Sequence, residues 1–259
     1  MAGLPILLYH HIFTSDSHAE KYALGAPAFE AQMRYLRDMG LRGVTGGEIA
    51  SGRYRAHEKC VAITFDDGNA SDFDLALPIL RGLGLGATFF ITTSWVGTEG
   101  YMDMARIRGL HEAGMTIGSH GVTHRFLSDL DDRELERELA DSRAALEDGI
   151  GAGVDSLSLP GGFGSRRVLA AAKRAGYVAV YTSAPGPNRL AGGRRGQMVL
   201  RRYVVTQRTS FEAFASMTDG EARLAIGQKG IYCAKGLARK VLGSRLYYSL
   251  WSRFFREVG

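Results

Sequence analysis

VAITFDDG, residues 61–68, is a short apolar run that ends abruptly on two carboxylates and a glycine. A run with almost no polar face predicts a strand covered on both sides, as in the parallel sheet of an α/β protein. Working outward, similar runs recur: ILLY at 6–9, ATFFIT at 87–92, MTIGS at 115–119, DSLSL at 155–159, YVAVYT at 177–182 and VLRRYVV at 199–205. The intervals between them are of helix length. Phe29, Met33, Leu36 and Met39 share one face of a helix, as do Leu130, Leu135, Leu139 and Leu146 over 129–146. Strand and helix alternate, which predicts an α/β fold, and about seven strands favour a distorted, incomplete (β/α) barrel over an open sheet.

In such barrels ligands collect at the C-terminal ends of the strands, so the polar residues just after each run carry the information. These are His10 and His11, then Asp66 and Asp67, then His120, then Pro160 with Gly161 and Gly162. Adjacent aspartates are common enough to need a second argument: Asp131-Asp132 in the same chain reads as the start of a solvated helix. The strand-tip position sets Asp66-Asp67 apart. His120 and His124 are four residues apart, so on a helical turn both imidazoles would share a face and bind one ion. Two imidazoles and a carboxylate leave coordination positions open for water and substrate, the pattern of a catalytic rather than a structural zinc site.

Composition sets the bounds. The 259 residues are 45% hydrophobic and 23% charged, which fits a soluble globular chain with a sizeable core. Two distant cysteines, Cys60 and Cys233, suggest neither a disulfide framework nor a thiolate metal site, and fit a reducing compartment. The start, MAGLPILLYHHIF, lacks the basic flank of a secretory signal, and no run approaches membrane-spanning length, so the expected location is cytoplasmic. The net charge of +5 is uneven: 18 basic against 23 acidic residues over 1–185, then 14 against 4 over 186–259. His18 and His57 fall in polar loops and read as solvated; His111 reads as helical, beside Glu112.

With TFDDG at 64–68, GATFFIT at 86–92, GMTIGSHGVTH at 114–124 and SLPGGFGS at 158–165 in this order, the chain resembles the polysaccharide deacetylases of carbohydrate esterase family 4 from about residue 4 to about 205. The resemblance implies a (β/α)7-type barrel, a divalent metal (zinc, or cobalt or nickel) held by Asp67, His120 and His124, and Asp66 as general base. It also implies an oxyanion-stabilising amide near Gly161, a sugar-binding rim that includes Pro160, Gly161 and Gly162, and N-deacetylation of a glycan in bacterial surface-polysaccharide assembly. Trp95, just after a strand, is a candidate for stacking on the sugar, with a packed loop anchor as the alternative.

Two departures from the family pattern stand out. No histidine follows His124, where the family carries its late acid; Tyr9-His10 looks like that motif moved to the front, as in circularly permuted members, making His10 the candidate acid. Only one of His10 and His11 should face the site, because successive strand residues point oppositely. The arginine that commonly braces the base aligns with Ser158, and the usual aromatic with Gly161, which leaves the base without its expected brace.

The expected organisation is a barrel over 1–208 and a basic amphipathic extension over 209–259. Within 234–255, Leu237, Val241, Tyr247, Tyr248, Trp251, Phe254 and Phe255 form one arc, and Arg239, Arg245, Arg253 and Arg256 lie largely opposite. This segment would pack on the barrel, or dock on an anionic inner-membrane face or a partner enzyme. No nucleic acid is expected, since no zinc-finger spacing or single-strand reader is present. A non-catalytic sugar-binding or scaffolding protein, and a hydrolase of another amide or an O-acetyl ester, are the competing readings.

Overall fold

The computed structural model describes residues 3–14, 22–54, 58–190, 196–219, 227–239 and 242. His18, His57 and most of the amphipathic arc of 234–255 lie outside them. The strands are β1 (Ile6–Tyr9), β2 (Ile12–Phe13), β3 (Leu24–Gly25), β4 (Arg42–Val44), β5 (Cys60–Phe65), β6 (Thr88–Ile91), β7 (Thr116–Ser119), β8 (Ser156–Ser158), β9 (Ala179–Tyr181), β10 (Met198–Leu200) and β11 (Tyr203–Val204). The α-helices are α1 (Ala26–Asp38), α2 (Gly46–Ala50), α3 (Leu77–Gly82), α4 (Met104–Glu112), α5 (Asp132–Ile150), α6 (Arg166–Arg174), α7 (Phe211–Thr218) and α8 (227–239).

Nine strands form one parallel sheet in the order β10-β9-β8-β7-β6-β5-β1-β11, with β4 paired to the first half of β5. The two ends of this order, β10 and β11, are consecutive in sequence. Leu200 and Tyr203 can be separated by roughly 10 Å at most, about two strand spacings. The sheet therefore curls into a barrel with one open seam, and Arg201-Arg202 crosses it.

Here VLRRYVV, expected as a single strand, divides in two. Arg201 donates its N–H to Asn188 Oδ1 (2.8 Å) and Arg202 to the Ala184 carbonyl (3.0 Å), so the chain leaves the β9 ladder before it joins β1. The short β4 was not foreseen, because LRGV offers too little apolar length.

Period-two alternation sorts the strand residues between two cores. Leu7, Tyr9, Val61, Ile63, Phe65, Phe89 and Ile117 point outward under the helices. Ile6, Ala62, Phe90, Ala179 and Tyr181 point into the barrel. Helix α1 lays Phe29, Met33 and Leu36 on the outer core; Met39, expected on the same face, is instead the exposed C-cap. Asp131 is the N-cap of α5, its side chain accepting from the Glu134 N–H in a capping box, so Leu130 falls just before the helix. Helix α7 adds a further outer layer, with Phe214 against Tyr35 of α1.

At the N-terminal end of the barrel, α2 is a plug. Gly46 and Gly47 donate their N–H groups to Thr88 Oγ1 (2.7 Å) and Thr116 Oγ1 (3.1 Å). The opposite, C-terminal end stays open for a site. Among the described residues no helix is long and apolar enough to cross a membrane.

Candidate active site

The same alternation that builds the inner core aims the polar residues. Ala62, Thr64 and Asp66 follow one another on the inward face of β5, Ser156 and Ser158 on β8, and Ile6, Leu8 and His10 on and just after β1. A cavity of about 490 Å³ opens above them, lined among others by His10, Asp66, Asp67, His120, His124, Gly161 and Gly162. His11 is not among its walls; its carbonyl accepts from the Leu24 N–H.

Asp67 and His124 are the non-glycine residues with positive φ among those described, at 83° and 59°. Such backbone costs on the order of 1–3 kcal/mol per residue and persists where the surroundings impose it. After Asp67, Gly68 (φ 86°) completes the turn against Ile91, whose side chain would lie 3.2 Å from an added Cβ.

His120 and His124 do not share the helical turn expected for them. They belong to a loop shaped by Gly121 (φ 80°) and by buried Glu138 of α5. The Glu138 carboxylate accepts from the N–H groups of Val122 (2.7 Å) and Thr123 (3.0 Å) and from the Thr123 hydroxyl. The loop's own carbonyls accept from the N–H groups of Thr93 and Ser94, and the Trp95 ring packs against the His124 ring, tilted by 35° at 4.9 Å. Trp95 thus lies behind a site residue and is not among the cavity walls.

The outcome is a compact donor set. Ligand atoms of Asp67, His120 and His124 lie within 4.8 Å of one another. Asp67 Oδ1 is buried without a hydrogen-bond partner, 3.5 Å from His120 Nε2 and 3.4 Å from His124 Nε2. The Ser158 carbonyl, 2.9 Å from His120 Nδ1, can only accept, so Nδ1 carries the hydrogen and the Nε2 lone pair faces the group. Burial drives the His120 pKa down to about 4 against the pull of Asp66 and Asp67, which keeps the ring neutral. A neutral imidazole and an orphaned carboxylate oxygen converging on one point are what a divalent cation requires.

Asp66 has different company. Arg202, fully buried, donates Nη1 to Oδ1 (2.7 Å) and Nη2 to Oδ2 (2.8 Å), a bidentate pair inside the barrel. Nη2 also donates to Ser158 Oγ (2.8 Å), and Ser158 Oγ donates to Asp66 Oδ2 (3.0 Å). Burial is the largest single influence on Asp66 and pushes its pKa up. Arg202, followed by His120 and His10, overcomes it and holds the carboxyl well below the usual carboxylate range. The brace missing at position 158 is therefore supplied from the seam: the small Ser158 leaves room for a guanidinium arriving between β10 and β11. Arg202 was not read from the sequence, although a charged pair inside an apolar run was a signal that it had to be paired.

On the neighbouring strand β1, Tyr9 pairs with Phe65, so His10 stands beside Asp66; its Nδ1 is buried and unpartnered, and its ring lies 4.9 Å from Tyr22. Burial lowers its pKa, with Asp67 and Asp66 opposing. Pro160 is buried beneath the rim, while Gly161 (φ 69°) and Gly162 (φ 75°) form it. An added Cβ would fall 2.0 Å from Phe126 at Gly161 and 2.1 Å from Ser183 at Gly162. The Gly162 N–H is committed to the Leu159 carbonyl (2.7 Å).

The model of the polysaccharide deacetylase family matches residues 53–180. A Bacillus subtilis protein named "Putative polysaccharide deacetylase YxkH" is 30% identical over 221 residues, covering 84% of this chain and 77% of its own. Peptidoglycan-N-acetylglucosamine deacetylase of Bacillus cereus is 31% identical over 128 residues, 49% of this chain and 58% of its own. The fold matches that of the Streptococcus pyogenes deacetylase PplD, solved in complex with acetate, with a TM-score of 0.74 over 83% of this chain and 98% of that one at 22% identity.

Proposed function

Since the chain belongs to the polysaccharide deacetylase family, we propose that it hydrolyses the acetamide of an N-acetylated sugar in a bacterial surface glycan, releasing acetate and a free amine. The observation that carries this reading is the pairing of two unlike carboxylates at one strand tip. Asp67 has a buried Oδ1 with no hydrogen-bond partner and is grouped with two imidazoles, whereas Asp66 is held ionised by buried Arg202 beside them. One is suited to hold a cation and the other is kept free to take a proton.

Asp67, His120 and His124 would hold a divalent ion, zinc by the preference of an Asp-His-His set, with cobalt or nickel also suited. Bound there, the ion supplies Lewis acidity toward the acetyl carbonyl and a water of lowered pKa. Asp66 takes the water's proton during attack, and Arg202 fixes both of its oxygens so that the carboxylate does not turn away. The Gly161 N–H stabilises the oxyanion that develops on the former carbonyl. His10, beside Asp66 at the end of β1, delivers a proton to the departing nitrogen. In this reading Tyr9-His10 takes the place of the family's late-strand acid, because β1 lies beside the last strand β11, pairing Leu7 with Tyr203 and Leu8 with Val204.

The test is acetate release from N-acetylglucosamine oligomers by the zinc-loaded chain, with Asp66→Asn as control. Release by the wild type that falls by about 10²-fold or more in the variant supports the reading. No release from any N-acetylated glycan by a protein that binds its metal would favour a sugar-binding scaffold, and release from acetyl esters alone would favour an esterase. The terminal segment 234–259 is the proposed contact with an anionic membrane or a partner enzyme, read by sedimentation of the full chain with anionic liposomes.

A further inference from the structure

Residues 227–239 read GQKGIYCAKGLAR, in which Gln228, Tyr232, Lys235 and Arg239 recur every three or four positions and so share one face of α8. That face is turned down onto the mouth of the barrel. Gln228 donates Nε2 to the Val204 carbonyl (2.9 Å) at the end of β11. Tyr232 donates its hydroxyl to the Gly162 carbonyl (3.4 Å) and stacks on Phe163 at 4.7 Å, both on the loop after β8. Lys235 Nζ donates to the Tyr22 hydroxyl (3.1 Å), and Tyr22 is the ring packed on His10. Arg239 donates to Ser128 Oγ (3.0 Å), and its guanidinium lies 5.3 Å from the Phe126 ring and 5.1 Å from the Phe163 ring.

These anchors lie on different banks of the cleft. Val204 and Tyr22 flank β11 and β1 on one side, and Phe126, Ser128, Gly162 and Phe163 follow β7 and β8 on the other. From Gln228 to Arg239 the helix covers roughly 16 Å at 1.5 Å per residue, long enough to reach across. Ile231, Tyr232 and Lys235 line the same cavity as Asp66 and His10. Its volume of about 490 Å³ is that of a pocket for one compact ligand. An interior residue of a long polysaccharide needs the chain to enter on one side of the scissile amide and leave on the other. Here α8 stands in the path between the β8 loop and β11.

We propose that α8 is a fixed roof that makes this cleft select a short saccharide or the end of a glycan chain over the interior of a long polymer. The inference rests on the deacetylase reading. Tyr232 and Arg239 determine length selectivity by clamping the rim aromatics Phe126 and Phe163, which an open groove would present to the sugar rings of a passing chain. Arg239 acts at a distance from the reacting atoms, as a positioning residue for the roof.

The test uses the zinc-loaded full chain and the variants Arg239→Ala and Tyr232→Ala on two probes, β-linked N-acetylglucosamine pentamers and a soluble polymer of the same linkage. Acetate release per acetyl group is measured on both, and the position of the free amine in the pentamer is read by mass spectrometry. The wild type should place the amine on a terminal ring and turn over polymer at least about tenfold more slowly than pentamer; either variant should narrow that ratio and yield interior amines. Interior amines formed by the wild type as readily as terminal ones would overturn the roof, and that result needs no variant to fold. A ratio unchanged in both variants would overturn it too. Absence of acetate from every probe would instead overturn the deacetylase reading.

Discussion

Replacing Arg202 by methionine keeps much of the side-chain volume and removes the charge, and so isolates what the guanidinium does for Asp66. In the native barrel the pair is bidentate at 2.7 and 2.8 Å, with Arg202 at 0% and Asp66 at 4% side-chain exposure. Removing one partner of such a buried pair costs about 3–5 kcal/mol, because the other charge is stranded. For a chain of this size that lowers Tm by roughly 6–20 °C.

The pH dependence carries the sharper signature. In the wild type the folded pKa of Asp66 lies below its unfolded value, so its contribution is fully present above the unfolded pKa and is lost only as pH falls through the folded one. In Arg202→Met burial is no longer opposed by the guanidinium, so the folded pKa rises above the unfolded value of about 3.9, and ionised Asp66 destabilises increasingly as pH climbs past it. The Tm gap between the two proteins should therefore be widest near neutrality and narrow toward pH 4. Activity should acquire an acid limb displaced upward, since the base must now be deprotonated at a higher pH. Thermal denaturation followed at several pH values, with acetate release over the same range, reads both effects. Adding Asp66→Asn to Arg202→Met should recover part of the lost stability by removing the stranded charge. A gap independent of pH, with no recovery in the double variant, would refute the argument.

Further predictions concern the residues around the pair. Glu138→Ala frees the N–H groups of Val122 and Thr123, so the His120–His124 loop loses its template; zinc affinity by competition titration should fall about 10- to 100-fold. His10→Asn should lower kcat by about 10²–10⁴-fold, while zinc affinity, read by the same titration, stays within error; an equal loss in both would make His10 a ligand rather than an acid. Gly162→Ala places a methyl 2.1 Å from Ser183 at φ 75°, and should lower Tm as well as activity in denaturation and acetate assays.

The legible part of this molecule is the part in which strand parity and strand ends act locally. VAITFDDG announces a covered strand with carboxylates at its tip, and alternation alone separates His10 from His11. What was not legible depends on contacts across the chain. Arg202 and Asp66 are 136 positions apart, and the RR pair in VLRRYVV reads as strand until the seam of the barrel is seen. The loop conformation of His124 depends on Glu138 in another element and on a left-handed backbone that spacing does not encode. Of the amphipathic arc read over 234–255, Leu237 and the opposing Arg239 fall within α8, and amphipathicity did not say which of the two faces meets the protein. Lys235 and Arg239 turn toward the rim, and Leu237 is 65% exposed.

The central claim is that Asp67, His120 and His124 hold one divalent ion while Asp66 stays free beside it. It is tested most directly by anomalous diffraction from crystals grown with zinc. The account predicts one strong peak about 2.0–2.2 Å from both Nε2 atoms and an Asp67 oxygen, with Asp66 still bonded to Arg202 and His10 unligated. A peak ligated by Asp66 instead, or zinc bound elsewhere while these three side chains stay unligated, would contradict it.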